Sequence, residues 1–394
     1  MRELPSGWAR TRVGDLFDMQ IGKKLNKEAS AGLEQYEYVT NKNVQWNLIR
    51  FGELNRMSFS AAERNRFRLL SGDLLVTEGG EVGRTAIWEG QQSDCYFQMS
   101  LHRLRTRGAI EPRYMLHYMS YAARHGLFVD GVSQTSIAHL PQDKFAEHLV
   151  PHPVELTEQR RIVGIIDAAS AQERAIEKSI AKLDKLRAGL MEELDSVECG
   201  TFEDVLSYGP QNGIYKPASS YDPEGTPIVR IDSFKGGPSD FTRNLLRLSL
   251  GASEAERYGL VTGDILINRV NSLELVGKST AVGDLVERTV FESNMMRCKV
   301  LPGRAVPAFV ETWLGGRAAK AHFRARAKSA ISQASINGSD IRSCPFPQMD
   351  VPGQLRFLGQ LAAVRGRQQL ETAELAKLRD LKRGLVDDLL SGEA

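Results

Sequence analysis

The sequence predicts an α+β chain in which two similar globular domains are joined by two long helices forming an antiparallel coiled coil, with pseudo-twofold symmetry. Three observations carry this. First, the stretch Lys182–Leu194 returns as Lys377–Leu389, a shift of 389 − 194 = 195 residues, and both copies read Lys-Leu-x-x-Leu-[Lys/Arg]-x-Gly-Leu. Repetition at a fixed period marks a copied unit. Second, apolar residues fall three and four apart along each copy, the seam of a coiled coil. Third, a Gly-Asp turn followed by an apolar run occurs once in each half, at Leu70–Val76 and at Leu260–Ile267.

In chain order, the first domain is expected over 1–153. Trp8 reads as the cap of a core. Short runs of strand character follow at Tyr36–Thr40 and Val44–Ile49, broken by Asn and Lys,. Gly72-Asp73 makes a turn into a buried strand. Val82–Ala86 and its counterpart Val276–Thr280 place a glycine, a base and a hydroxyl in sequence. Neither has the first glycine of a nucleotide-binding loop, so Arg84 and Lys278 are read as backbone-facing cations or hairpin tips. A helical stretch, Tyr114–Phe128 or Phe309–Ala327, comes next in each half. Each is followed by Ser-Gln-x-Ser-Ile, at Ser133–Ile137 and Ser332–Ile336, and a proline pair then breaks the chain,.

The first spacer helix is expected over 154–199, with a seam of Ile162, Ile166, Ala169, Ile176, Ile180, Leu183, Leu190 and Leu194, interrupted by Glu173 and Arg187. The second domain covers 200–350. The second helix, 351–394, repeats the seam as Phe357, Leu361, Val364, Leu375, Leu378, Leu385 and Leu389, with polar Gln368, Glu371 and Lys382. Each seam runs about 58 Å at ~1.5 Å per residue. A linking domain with a radius of gyration near ~15 Å would struggle to bridge that length, so antiparallel pairing is expected, with one domain at each end. The polar seam positions are expected to fix register. Gly189 and Gly384 each cost about 1 kcal/mol in a helix, and their recurrence suggests close backbone approach.

Composition excludes several classes. No segment is long and apolar enough to span a bilayer, and the start lacks a signal peptide's core, so a cytoplasmic protein is expected. Cys95, Cys199, Cys298 and Cys344 show no CxxC spacing, which leaves buried free thiols as the expectation and no metal site,. Methyltransferase, zinc deaminase, metalloprotease and serine hydrolase signatures are all missing. Net charge is only +2, yet each half has an acid-free stretch. One carries Arg113, His117, Tyr118, Arg124 and His125; the other carries Arg317, Lys320, Arg324, Arg326 and Lys328. Their recurrence favours a phosphate-facing strip over a merely solvated face.

The doubled order of domain and heptad helix, the Glu158-Gln159 helix start, the Lys-Leu-x-x-Leu centre and the Gly-Asp strands resemble the DNA specificity subunit of type I restriction–modification systems. The resemblance covers nearly the whole chain. It implies two target-recognition domains, each reading half of a split site in double-stranded DNA, and helices that dock modification (methyltransferase) subunits, two in number, with a restriction (translocase/endonuclease) subunit. S-adenosylmethionine, ATP and magnesium would belong to those partners, and this chain would be non-catalytic. Candidate phosphate contacts are Lys23, Lys24, Arg84, Arg124, Lys278, Arg317, Lys320 and Arg324. Candidate base readers are Asn41, Asn43, Gln98, Gln134 and Thr135 in the first domain and Arg269, Asn271, Asn294, Gln333 and Ser335 in the second,. The rival readings are a coiled-coil scaffold without a DNA role and an enzyme with scattered catalytic residues.

Overall fold

The computed structural model describes residues 4–52, 54–128, 139–235, 239–242, 244–329 and 333–392. The chain divides into two compact units, Met1–Glu177 with Ala373–Ala394 and Lys178–Thr372. The two long helices are each 40 residues, Leu156–Asp195 and Val351–Leu390, and each contributes to both units.

The first unit is built on a four-stranded antiparallel sheet in the order Phe17–Ile21, Leu101–Thr106, Leu74–Thr77, Thr85–Ile87. The second repeats it as Leu206–Asn212, Met295–Val300, Ile265–Asn268, Ser279–Ala281. In each, the strand after the Gly-Asp turn is buried throughout, as its unbroken apolar run requires,. Asp73 and Asp264 close that turn by accepting the amides of Leu70 (2.8 Å) and Val261 (3.1 Å). A three-stranded sheet with one parallel pair also recurs. It is formed by Asn55–Ser58, Gln35–Val39 and Tyr96–Phe97 in one unit and by Leu246–Leu248, Tyr221–Val229 and Val290–Phe291 in the other.

Gly22 and Gly213 explain a loose sequence echo between the halves. A Cβ there would lie 2.3 Å from the Gln98 carbonyl oxygen, or 2.2 Å from that of Glu292, so no side chain fits where the first sheet strand leaves,. A two-stranded ladder then closes each domain: Trp8–Arg12 with Leu149–Pro153, and Cys199–Thr201 with Pro345–Pro347.

Gln159 and Gln354, 195 apart, start the long helices and are fully buried. Gln159 accepts from the Glu111 amide (2.7 Å) and donates to the Pro153 carbonyl (2.8 Å). Gln354 does the same with the Val306 amide (2.8 Å) and the Met349 carbonyl (2.8 Å). Each satisfied amide ties a helix to its domain, where an unpaired one would be strongly unfavourable.

Within each unit the two helix segments run antiparallel. In the first, Ile162 and Ile166 share a core with Val386 and Leu390, while Glu173 pairs with Lys382 and, at 3.3 Å, with Arg379. In the second, Leu194 shares a core with Phe357 and Leu361, and Gln368 donates to Asp184 at 2.8 Å. Polar seam positions of one helix, Glu173 and Gln368, thus meet polar groups of the other. Ser179 and Arg367 hold the Glu371 carboxyl below the usual range.

Several expectations need correction. The stretch Phe309–Ala327 is two helices, Pro307–Leu314 and Arg317–Arg326, because Gly315 and Gly316 interrupt it. Val386 and Leu390 are buried more deeply than the seam residues Leu385 and Leu389, since the helix end turns its face toward a globular core. A Cβ at Gly189 or Gly384 would meet nothing within 4 Å, so close approach within the chain does not explain them. Cys199 is exposed, whereas Cys95, Cys298 and Cys344 are buried.

Reversing one charge of the Glu173–Lys382 pair tests this register. Lys382→Glu should lower stability by about 1 kcal/mol in urea unfolding, and adding Glu173→Lys should recover part of that loss. An unchanged midpoint for the single variant, or no recovery in the double, would refute the pairing.

Candidate nucleic-acid interface

The strand that follows the Gly-Asp turn ends, in each unit, at the segment leading into its sheet neighbour: the Glu78 amide donates to the Ser100 carbonyl (3.1 Å) and the Arg269 amide to the Asn294 carbonyl (2.8 Å). In the first unit this joins residues far apart in sequence. Arg84 donates to the Asn41 carbonyl (2.7 Å) and to Glu81 (3.2 Å), the Asn41 amide donates to Ser100 Oγ (3.2 Å), and Gln98 Oε1 accepts the Ser100 amide (3.1 Å). Asn41, Arg84 and Gln98 thus form one polar cluster, in which Arg84 and the Gln98 amide oxygen bond to backbone.

The neighbouring candidates differ. Asn43 is 8% exposed and uses both ends of its amide, accepting from Thr40 (2.9 Å) and donating to the Arg50 carbonyl (3.1 Å), so it holds a loop. Lys23 turns inward to the Ser58 carbonyl (2.8 Å) and Glu63 (2.7 Å). Burial alone would raise the Glu63 carboxyl, but Lys23 and the Ser60 amide hold it below its ordinary value. Lys24 is exposed. Gln134 and Thr135 lie outside the described residues.

In the second unit the strand Val270–Asn271 pairs with Ala334–Ser335, which also pairs with Lys328–Ser329. The Arg269 and Val270 amides donate to the Asn294 carbonyl (2.8 and 3.2 Å), and the Ile336 amide donates to the Arg269 carbonyl (2.9 Å). Arg269, Asn271, Asn294 and Ser335 therefore share one edge, with Gln333 exposed beside it. Lys278, the counterpart of Arg84, turns inward to the carbonyls of Ile231 and Phe234, both at 2.7 Å. Burial pushes its ammonium below the ordinary lysine range.

The acid-free stretches also differ. Arg113 (3.0 Å) and His117 (2.9 Å) pair with Asp167, while Arg124 (2.7 Å) and His125 (3.1 Å) pair with Asp387. Tyr118 is buried, its hydroxyl 2.8 Å from His148 Nε2. The carboxylates opposite this stretch come from the long helices, which is why the local sequence carries none. A free phosphate-facing strip is therefore not what the first half presents. In the second, Arg317, Lys320 and Arg324 lie on one exposed helix face, opposite buried Ala319 and Phe323, and Arg317 reaches Asp195 at 3.3 Å while remaining 83% exposed,.

Sequence reasoning missed Asn268 and the buried arginines. Asn268 ends the strand beneath the Arg269–Asn271 edge, is fully buried, and neither amide atom has a hydrogen-bond partner among the described residues. An orphaned buried amide is unfavourable, so Asn268 is a place where the edge is incomplete by itself. Arg103 and Arg297 occupy matching strand positions, facing Leu75 and Leu266 across the sheet, and Arg103 donates to Asp18 at 2.6 Å. Their recurrence, 194 residues apart, was the available signal. No group of three or more potential metal ligands occurs among the described residues.

The comparisons with known proteins agree with this architecture. The chain is 22% identical over 373 residues to the type I restriction enzyme EcoKI specificity subunit of Escherichia coli, covering 86% of this chain and 78% of that protein. In fold it is similar to the HsdS subunit of Thermoanaerobacter tengcongensis, with a TM-score of 0.58 at 16% identity over 100% of this chain and 98% of that one. It is also similar to the type I restriction–modification S subunit of M. genitalium, with a TM-score of 0.51 at 14% identity over 98% of both chains. Residues 5–185 match the family described as type I restriction modification DNA specificity domain. Residues 5–185 thus match that domain family, and the chain over most of its length is similar to type I restriction–modification specificity subunits.

Proposed function

We propose that this chain reads a bipartite site in double-stranded DNA for a type I restriction–modification complex, one half-site per globular domain. The observation that carries the reading is the pair of equivalent strand-end edges, polar in both units and different in chemistry: Asn41, Arg84 and Gln98 in one, Arg269, Asn271, Asn294 and Ser335 in the other. Asn and Gln side chains match adenine and an Arg such as Arg269 matches guanine, so unlike edges on a common frame suit unlike half-sites; Arg84, bonded to the Asn41 carbonyl and Glu81, holds its edge together. Exposed Lys24 and Arg324 supply phosphate contacts, which position the duplex without reading it,. Methyl transfer from S-adenosylmethionine and ATP- and magnesium-dependent steps belong to partner subunits in this reading, and no helix among the described residues is long and apolar enough to cross a membrane.

The long helices carry a feature that supports docking of two modification subunits. Leu186 and Leu381, 195 apart, are 53% and 70% exposed, and each lies one turn from Gly189 or Gly384, where a side chain would have open space. A leucine left in water next to a helix-weakening glycine, twice at the same place, suits a partner helix that packs closely there. A restriction subunit completes the complex.

Two outcomes test these readings. Exchanging residues 1–150 for those of a specificity subunit with another target should change one half of the methylated motif; sequencing that shows both halves changed would contradict independent readers. Leu186→Glu with Leu381→Glu should weaken binding of the modification subunit by at least about tenfold in a pull-down titration, with the melting temperature of the free chain unchanged. Undiminished binding would remove the helices from the docking surface.

A further inference from the structure

A cavity of about 510 Å³ lies in the second unit, walled by segments of both long helices and by the globular domain. That size suits a small organic ligand. Its apolar lining includes Met191, Leu314 and Leu361; besides Lys278, whose ammonium the Ile231 and Phe234 carbonyls take, four cations surround it: Arg187 and Arg365 from the helices, Lys235 and Lys320 from the domain. Among the described residues Lys235, Lys320 and Arg365 form no ion pair, and Arg187 has only a long one, 3.9 Å to Asp184. Four cations facing one concavity repel each other, and a bound anion relieves that repulsion.

Two acids on the lining, Glu274 and Glu311, offset only part of that charge. Glu274 is exposed, and Glu311 is buried with its carboxylate accepting from the Ala281 amide (2.9 Å) and the Thr280 hydroxyl (3.1 Å). Burial raises the Glu311 carboxyl, and the Ala281 amide, the Thr280 hydroxyl and the Arg365 charge offset part of that rise. Ser279, also on the lining, is 5% exposed and its hydroxyl has no hydrogen-bond partner among the described residues.

The common frame does not explain the charge. At the same shift of 195, Lys320 corresponds to His125, which is tied to Asp387. Arg365 corresponds to Ser170, bonded to the Ile166 carbonyl at 2.8 Å, and Glu311 corresponds to the buried Leu116. At those positions the first unit has an imidazole tied to Asp387 and two uncharged side chains.

We propose that this cavity binds an organic phosphate of nucleotide size, its phosphate among Arg365, Lys320 and Lys235 and its body on Leu314, Leu361 and Met191. Inorganic phosphate would satisfy the cations and leave the apolar lining uncovered, so the two parts together select a larger molecule.

The test is isothermal titration of the full-length chain with AMP, ATP and inorganic phosphate, without DNA. The expected result is saturable binding of one nucleotide per chain, weaker binding of inorganic phosphate, and at least about tenfold weaker nucleotide binding by Arg365→Glu. Arg174→Glu, on the other helix segment and away from the cavity, should keep its affinity. Arg365→Gln serves if the charge reversal does not fold, and should weaken binding in the same direction. Absence of saturation at millimolar nucleotide, equal loss in Arg174→Glu, or inorganic phosphate binding as tightly as the nucleotides would overturn the proposal.

Discussion

The structure depends on one helix written twice and paired with itself in reverse. An antiparallel pair of copies brings the early polar interruption of one against the late interruption of the other. Glu173 therefore meets Lys382, the copy of Arg187, and Gln368, the copy of Glu173, meets Asp184 on the turn that carries Arg187. A register slip would set these groups against leucine and isoleucine, where an unpaired charge is strongly unfavourable. Apolar seams supply the attraction; the polar steps choose one alignment from several.

The same repetition governs the domains. Gln159 and Gln354 fasten each helix to its domain by the same bonds, and Gly22 and Gly213 permit the same close passage. On that shared frame the strand ends diverge: Glu78 stands in one unit where Arg269 stands in the other, each accepting the amide of the returning strand, Leu140 or Ile336. Residues that hold the frame recur because the frame is common to both halves, whereas the edge residues are free to differ.

The repeat made much of this legible. The helices, their polar interruptions and the Gly-Asp strands stand at fixed offsets, so local pattern and long-range position agreed. The site was legible only in part. Asn41, Arg84 and Gln98 come together, but nothing near Lys278 in sequence reveals that carbonyls of Ile231 and Phe234 take its ammonium, nor that Arg50 occupies Asn43. The acid-free stretch in the first half misled for the same reason: Asp167 and Asp387 reach it from other parts of the chain. The repeat of Gly189 at Gly384 suggested close backbone approach, yet nothing of this chain lies within 4 Å of a Cβ placed at either.

The central claim is that two unlike edges read two unlike half-sites. Genome-wide methylation profiling of cells that carry the cognate modification subunit, with and without this chain, tests it most directly. The account predicts a methylated motif that requires this chain and consists of two different specified blocks separated by unspecified positions. A motif that persists without the chain, or one continuous block, would contradict it.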